Sequence, residues 1–165
     1  MQQNIRESIL MYLEKDSRLL PEDLAEMLGL TPDMVAAELN AMVDERVICG
    51  FNTLINWDLT NRAYVSALIE VKVTPQRGMG FDKIAERIYN FEEVKAVYLM
   101  SGGFDLTVII EGKSIKDIAY FVSDKLSPLE SVLSTATHFV LKKYKDHGIV
   151  LEKGRSRDER MVVSP

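Results

Sequence analysis

The sequence predicts an α+β chain of two modules: an N-terminal winged, tri-helical helix-turn-helix and a C-terminal βαββαβ domain. Three observations predict it. Two short amphipathic segments flank the tight turn Gly29-Leu30-Thr31, Val65–Val73 alternates with period two, and the segments after residue 63 follow the order β-α-β-β-α-β.

The first helix spans about Asn4 to Glu14, with Ile5, Ile9, Tyr12 and Leu13 on one stripe. In the second, Pro21 suits the first turn, Glu22 and Asp23 complement the helix dipole, and Leu24, Ala25 and Leu28 face inward. Gly29 suits the left-handed position that closes it. Thr31 is the N-cap of the third helix, Pro32 its first residue, and Val35, Leu39, Met42 and Val43 its apolar stripe. Val47 to Trp57 reads as β structure, a wing or connecting strand with turns at Asn52 and Asn56.

In the second module, Val65, Ala67, Ile69, Val71 and Val73 mark one face of a strand. Pro75 to Gly80 is a turn-rich connection, and Phe81, Ile84, Ala85 and Ile88 form the stripe of a helix ending near Asn90. Val94–Met100 and Phe104–Glu111 form a hairpin around Ser101-Gly102-Gly103, where glycine permits positive φ. Ile115, Ile118, Ala119, Val122 and Leu126 mark a last helix before Pro128, and a final strand covers about Val132 to Lys143. This order is the ferredoxin-like split βαβ. Leu68, Val97, Leu99, Ile109 and Phe139 read as apolar residues on the second sheet face, which predicts a homodimer through that face. The expected boundaries are 1–50 for the helix-turn-helix, 51–62 for the connector, 63–145 for the sheet domain and 146–165 for a tail.

Composition narrows the function classes. With 47% apolar residues the chain has material for two modest cores. No stretch approaches the roughly 20 apolar residues of a membrane helix, and the start lacks a basic segment before an apolar one, so a cytoplasmic protein is expected. Cys49 is the single cysteine and lies in an apolar run, which predicts a buried structural thiol. With His138 and His147 the only histidines, no zinc spacing exists, and neither a metal nor a cofactor is expected. No catalytic triad, P-loop or Rossmann pattern is present, and Gly78-Met79-Gly80 reads as a turn.

The hairpin segment Val94-Lys95-Ala96-Val97-Tyr98-Leu99-Met100-Ser101-Gly102-Gly103-Phe104-Asp105-Leu106 and the strand Thr135-Ala136-Thr137-His138-Phe139-Val140-Leu141-Lys142, behind a helix-turn-helix, resemble the Lrp/AsnC (feast/famine) family of transcriptional regulators. The resemblance covers nearly the whole chain. It implies dimers that assemble further, often to octamers, and an amino acid or similar effector bound near the hairpin between dimers. Carried over by motif, the effector residues are Ser101, Gly102, Gly103, Phe104 and Asp105, with Thr135 and Thr137 facing them. The chemistry is consistent with an α-amino acid, since backbone N–H groups receive a carboxylate and Asp105 an ammonium. A plain hairpin turn, with Asp105 as a loop-fixing acceptor, explains the same residues.

The resemblance also implies double-stranded DNA as partner, read by the third helix in the major groove. Here the charge departs from the pattern. Residues 1–50 carry Arg6, Lys15, Arg18 and Arg46 against ten acids, a net of −6, and 33–42 contain no Arg or Lys. Phosphate contacts supply most non-specific affinity, so the exposed candidates are few: Thr31, Asn40, Arg46 and Asn52. Weak heads joined in an oligomer can still act together; the alternative is a ligand-sensing oligomer that has lost DNA binding. Relatives that decarboxylate haem precursors of the sirohaem type give a third reading, an enzyme, for which His138 and His147 would be the groups to examine. The expectation is a non-enzyme. Lys142, Lys143 and Lys145 read as a solvated strand end, and Arg155, Arg157 and Arg160, with Met161-Val162-Val163 beyond, as a tail with a potential docking end.

Overall fold

Pro21 and Thr31 open two helices by different means: Pro21 has no N–H to satisfy, and Thr31 supplies an acceptor. Leu20 N–H donates to Asp23 Oδ2 (2.9 Å) at the start of one, and Thr31 Oγ1 accepts from Met34 N–H (3.4 Å) at the start of the other. The computed structural model describes residues 2–74 and 80–152. The Gly78-Met79 turn and the Arg155–Val163 tail features lie outside the described residues. Two units divide at Leu54/Ile55.

The first unit holds α1 (Gln2–Lys15), α2 (Pro21–Leu28) and α3 (Pro32–Asp44). Gly29 closes α2 at φ 67°, where a Cβ would be strained. Ile9, Leu13, Leu24, Ala25, Val35, Met42 and Ile48 form the core, with Ile5, Leu28 and Leu39 packed against it. Tyr12 and Val43, expected on the buried stripes, are exposed.

Residues 47–56 form no strand. A strand needs a lateral partner for its N–H and C=O groups, and this segment has none among the described residues, so the expected wing is an unpaired extension. Cys49 is exposed rather than buried. Arg46 turns the chain in a left-handed conformation (φ 62°), Ile48 takes the core position, and the Cys49 thiol points out to the Arg46 carbonyl at 3.2 Å.

The second unit holds β1 (Val65–Val73), α4 (Asp82–Tyr89), β2 (Val94–Leu99), β3 (Leu106–Gly112), α5 (Ile115–Phe121) and β4 (Val132–Phe139), followed by the short hairpin β5 (Lys145–Asp146) and β6 (Ile149–Val150). The main sheet is antiparallel in the order β2-β3-β1-β4, which is the split βαβ arrangement. Ala67, Ile69 and Val71 stand opposite Ile110, Val108 and Leu106, and this face packs on Ile84, Ile88, Ile118, Phe121 and Leu126 of the helical layer. The last helix continues as a π-type turn, Val122–Leu126, in which Ser127 N–H reaches Val122 O (2.8 Å). That turn buries Phe121 and Leu126 five residues apart, while Ile115 and Ala119, expected inside, are exposed.

The assignment of the second sheet face changes. Leu68 and Ile109 lie on the open face as expected, opposite each other. Val97 pairs with Val108, Leu99 with Leu106 and Phe139 with Ala67, which puts all three on the helix-covered side. A register shift between Val94 and Ala96 produces this phase on β2. The open face carries Leu68, Ala96, Tyr98 and Ile109 together with Glu70, Lys72 and His138. The last strand stops at Phe139 rather than Lys143, although Val140 N–H still donates to Ser66 O (2.9 Å).

Candidate functional site

The β2–β3 loop is held at its base and open at its tip. Met100 N–H donates to Asp105 O (2.8 Å) above the Leu99–Leu106 pair. Gly102 has φ 146°, which a side chain would strain, whereas Gly103 has no positive φ. Ser101, Gly102 and Gly103 are exposed and Phe104 and Asp105 half-buried; the N–H groups of Ser101 to Phe104 donate to no described residue. Asp105 is committed on one side. Its N–H donates to Val71 O (3.1 Å), and its Oδ2 accepts from Val73 N–H (2.8 Å) where the β1–β4 register shifts. The second carboxylate oxygen, Oδ1, bonds to no described residue.

Thr135 and Thr137 are not brought to this loop within one chain. They stand opposite Val71 and Ile69 on the helix-covered face of β4. Strand β1 lies between them and β3, a separation of about 10 Å at two strand spacings.

In the first unit, the exposed stripe of α3 is Asp33, Ala37, Asn40 and Asp44, with Met34 and Ala41 beside it. Thr31 Oγ1 is engaged as the cap. Arg46 and Asn52 are exposed, Arg46 at the turn after α3 and Asn52 in the unpaired segment. Arg6 on α1 holds two acids: Nε donates to Glu38 (2.7 Å), and Nη1 and Nη2 to Glu45 (2.7 and 3.1 Å). Those bonds lower the Glu45 carboxyl below its usual range and raise the guanidinium. Arg18 similarly holds Asp16 down at about 2, by its side chain first and its backbone N–H second. Lys15 and Arg46 are left as the cations of this unit without an ion pair among the described residues.

A depressed carboxyl stabilises the fold above its unfolded pKa and loses that contribution as pH falls through the folded value. Arg6→Met is therefore expected to flatten the acid side of the unit's stability curve below the ordinary carboxylate range. Urea midpoints across pH 2.5–6 check this; an unchanged acid limb contradicts it.

Comparison with known proteins follows the same division of the chain. Residues 66–150 match the family model described as the Lrp/AsnC ligand binding domain. The uncharacterized HTH-type transcriptional regulator YugG of Bacillus subtilis (strain 168) is 51% identical over 158 residues, 95% of each chain. The chain belongs to the Lrp/AsnC family of transcriptional regulators.

A proline dehydrogenase transcriptional activator of Rhizobium radiobacter is 27% identical, covering 86% of this chain and 90% of its own. Among solved structures, AsnC of E. coli aligns with TM-score 0.63 at 18% identity, over 85% of this chain and 92% of its own. A Neisseria meningitidis transcriptional regulator crystallised with L-Met aligns with TM-score 0.68 at 22% identity, over 86% and 91%. These two likenesses are of fold.

In this Lrp/AsnC chain a polar cluster lies at the end of the sheet opposite the loop. Tyr64 Oη donates to Glu111 (2.8 Å) and accepts from Lys143 Nζ (3.3 Å). Burial first, and Glu111 second, push the Tyr64 hydroxyl up; burial pulls the Lys143 ammonium down, but its bonds to Tyr64 and Asp146 outweigh that and raise it. Asn56 Nδ2 donates to Leu151 O (3.0 Å) beside a cavity of about 120 Å³. A wider groove of about 520 Å³ is lined by Arg62, Tyr64, Glu92, Glu93, Glu111 and Lys113. Tyr64 has no signal in the sequence beyond a tyrosine just ahead of an alternating strand. His138 Nε2 lies 3.4 Å from Glu70 on the open face, and His147 Nδ1 2.8 Å from Asp146 at the β5–β6 turn.

Proposed function

We propose that the chain is an effector-responsive regulator that binds an α-amino acid at the Ser101–Asp105 loop and double-stranded DNA through α3. The observation that carries the effector half is the loop tip: four undonated N–H groups beside a carboxylate with one free oxygen. The N–H groups suit the ligand carboxylate and Asp105 Oδ1 its ammonium. The L-Met bound to the Neisseria regulator and the proline dehydrogenase gene controlled by the Rhizobium activator agree with an amino-acid effector. Thr135 and Thr137 are proposed to meet a loop of another subunit, since β1 separates them from their own.

Subunits are proposed to pair through the open sheet face around Leu68, Ile109, Ala96 and Tyr98, and pairs to assemble further, up to an octamer. The protein is proposed to act in the cytoplasm as a regulator rather than as an enzyme. His138 and His147 line neither cavity described above and are engaged with Glu70 and Asp146. Among the described residues, no helix is long and apolar enough to cross a membrane.

A thermal-shift screen of the common amino acids tests the effector site, with Asp105→Asn as the control. Asparagine keeps an acceptor for Val73 N–H but not the charge for an ammonium. A bound amino acid at 100-fold its Kd stabilises the parent by about 2.7 kcal/mol, and the variant should lose most of that shift. An equal shift in both moves the ammonium site away from Asp105.

DNA binding should have a shallow salt dependence. With Lys15 and Arg46 unpaired in each head, a dimer offers about four phosphate contacts, and log K against log salt should fall with a slope of about −3.6. Anisotropy titrations from 25 to 200 mM salt measure it. A slope steeper than about −6 would show that other cations carry the contact.

A further inference from the structure

We infer that α3 reads A·T base pairs, with Asn40 taking adenine and the apolar residues around it taking thymine methyl groups. This rests on the proposed DNA binding and specifies which base pairs the head prefers.

Guanine presents two acceptors in the major groove, O6 and N7, and is read by bidentate arginine or lysine. No residue of α3 is either. The acids at the two ends of its exposed stripe, Asp33 and Asp44, have only acceptors when ionised and cannot bond guanine there. They lie eleven residues apart, about 16 Å along the helix, and the one charge between them, Glu38, is turned to Arg6. In the same stretch stands Asn40, exposed and with a side-chain amide that bonds to no described residue. An amide carries one acceptor and two donors, matching adenine N6–H and N7 together. Its neighbours three and four residues away are Ala36, Ala37 and Val43, the last 43% exposed, together with Asp44. Apolar side chains contact the thymine C5-methyl and have no partner on guanine or cytosine. Thr31 Oγ1 accepts the Met34 N–H as the cap, and the hydroxyl proton left over suits a phosphate or an acceptor on any base, so it carries no base preference. Arg46, beyond the stripe and unpaired, suits a phosphate and carries no base preference.

The test is selection by the full chain, at 25 mM salt, from a pool of fluorescent duplexes with a randomised centre. Chosen duplexes are then titrated with 7-deazaadenine or uracil substituted position by position. The expected result is enrichment of A and T at the read positions. Loss of the adenine N7 at one of them removes one of the two bonds and should weaken the parent roughly 2- to 12-fold. Uracil for an adjacent thymine should weaken it by less. Asn40→Ala, at an exposed helical position where alanine favours the helix, should bind the parent duplex weakly and be indifferent to 7-deazaadenine. Arg46→Ala should weaken all duplexes alike. Guanine at the read positions, insensitivity of the parent to 7-deazaadenine, or retained sensitivity in Asn40→Ala overturns the inference while leaving DNA binding in place. Failure to retain any duplex overturns the DNA-binding reading and this inference with it.

Discussion

Met42→Ala should unfold the first unit and remove DNA binding while the second unit stays folded. Met42 is fully buried at the centre of the cluster made by Ile9, Leu24, Val35 and Ile48. Truncating a buried methionine to alanine costs about 2–5 kcal/mol, the lost transfer energy plus the cavity. A unit of 54 residues is expected to be stable by about 3–8 kcal/mol at the usual yield per residue, so the loss consumes much or all of it. Calorimetry should show the transition of the first unit lowered or gone and that of the second in place. Met42→Leu, which conserves volume, should cost less than about 1.5 kcal/mol and retain binding. An alanine variant with unchanged transitions would show that this cluster is not what holds the head together.

The second large effect is expected at Asp105, where the two replacements separate structure from ligand. Asp105→Ala leaves Val73 N–H, at the nearly buried end of β1, without its acceptor. Hydrogen bonds to charged groups contribute about 1.5–3 kcal/mol, and an orphaned buried donor adds its own cost. The second unit should lose about that much in urea unfolding. Asp105→Asn should lose less than about 1 kcal/mol, because its side-chain oxygen replaces the acceptor. Equal losses in the two variants would mean that charge, not the bond to Val73, holds the loop.

The Asp105 contact also shows where sequence reasoning stops. The alternation of Val65–Val73, the Gly29 turn and the Thr31 cap announce local structure through local chemistry, and each lies where the sequence places it. What depends on a neighbour was not legible. Whether Phe139 or His138 faces the helices is fixed by pairing, with Ala67 opposite one and Leu68 opposite the other. Val97 and Leu99 change sides because β2 slips by a residue between Val94 and Ala96, and such a slip has no signature in an apolar run. That Asp105 can fix the loop as an acceptor is legible, but its partner is not: Val73 N–H is on another strand, at a second register shift.

Neighbours decide the first unit in the same way. Val47–Trp57 has the composition of a strand, but pairing makes a strand, and no partner lies among the described residues. Cys49 sits in an apolar run and still faces out, because the left-handed turn at Arg46 gives the inward position to Ile48. The net charge of −6 stands, but it does not show how the charges are placed: Arg6 is taken up by Glu38 and Glu45. A charge count by segment does not see an ion pair between α1 and the end of α3.

Anisotropy titration of the full chain against a labelled duplex from upstream of its own coding region, with and without the amino acid that most raises its melting temperature, joins both units in one readout. A regulator whose sensor governs its head should bind the duplex in a salt-dependent way, and the amino acid should shift the affinity about 5- to 150-fold, the usual range of coupling between two sites. Absence of salt-sensitive binding to this duplex and to every other genomic fragment tried, or an affinity untouched by an amino acid that demonstrably binds, would contradict it.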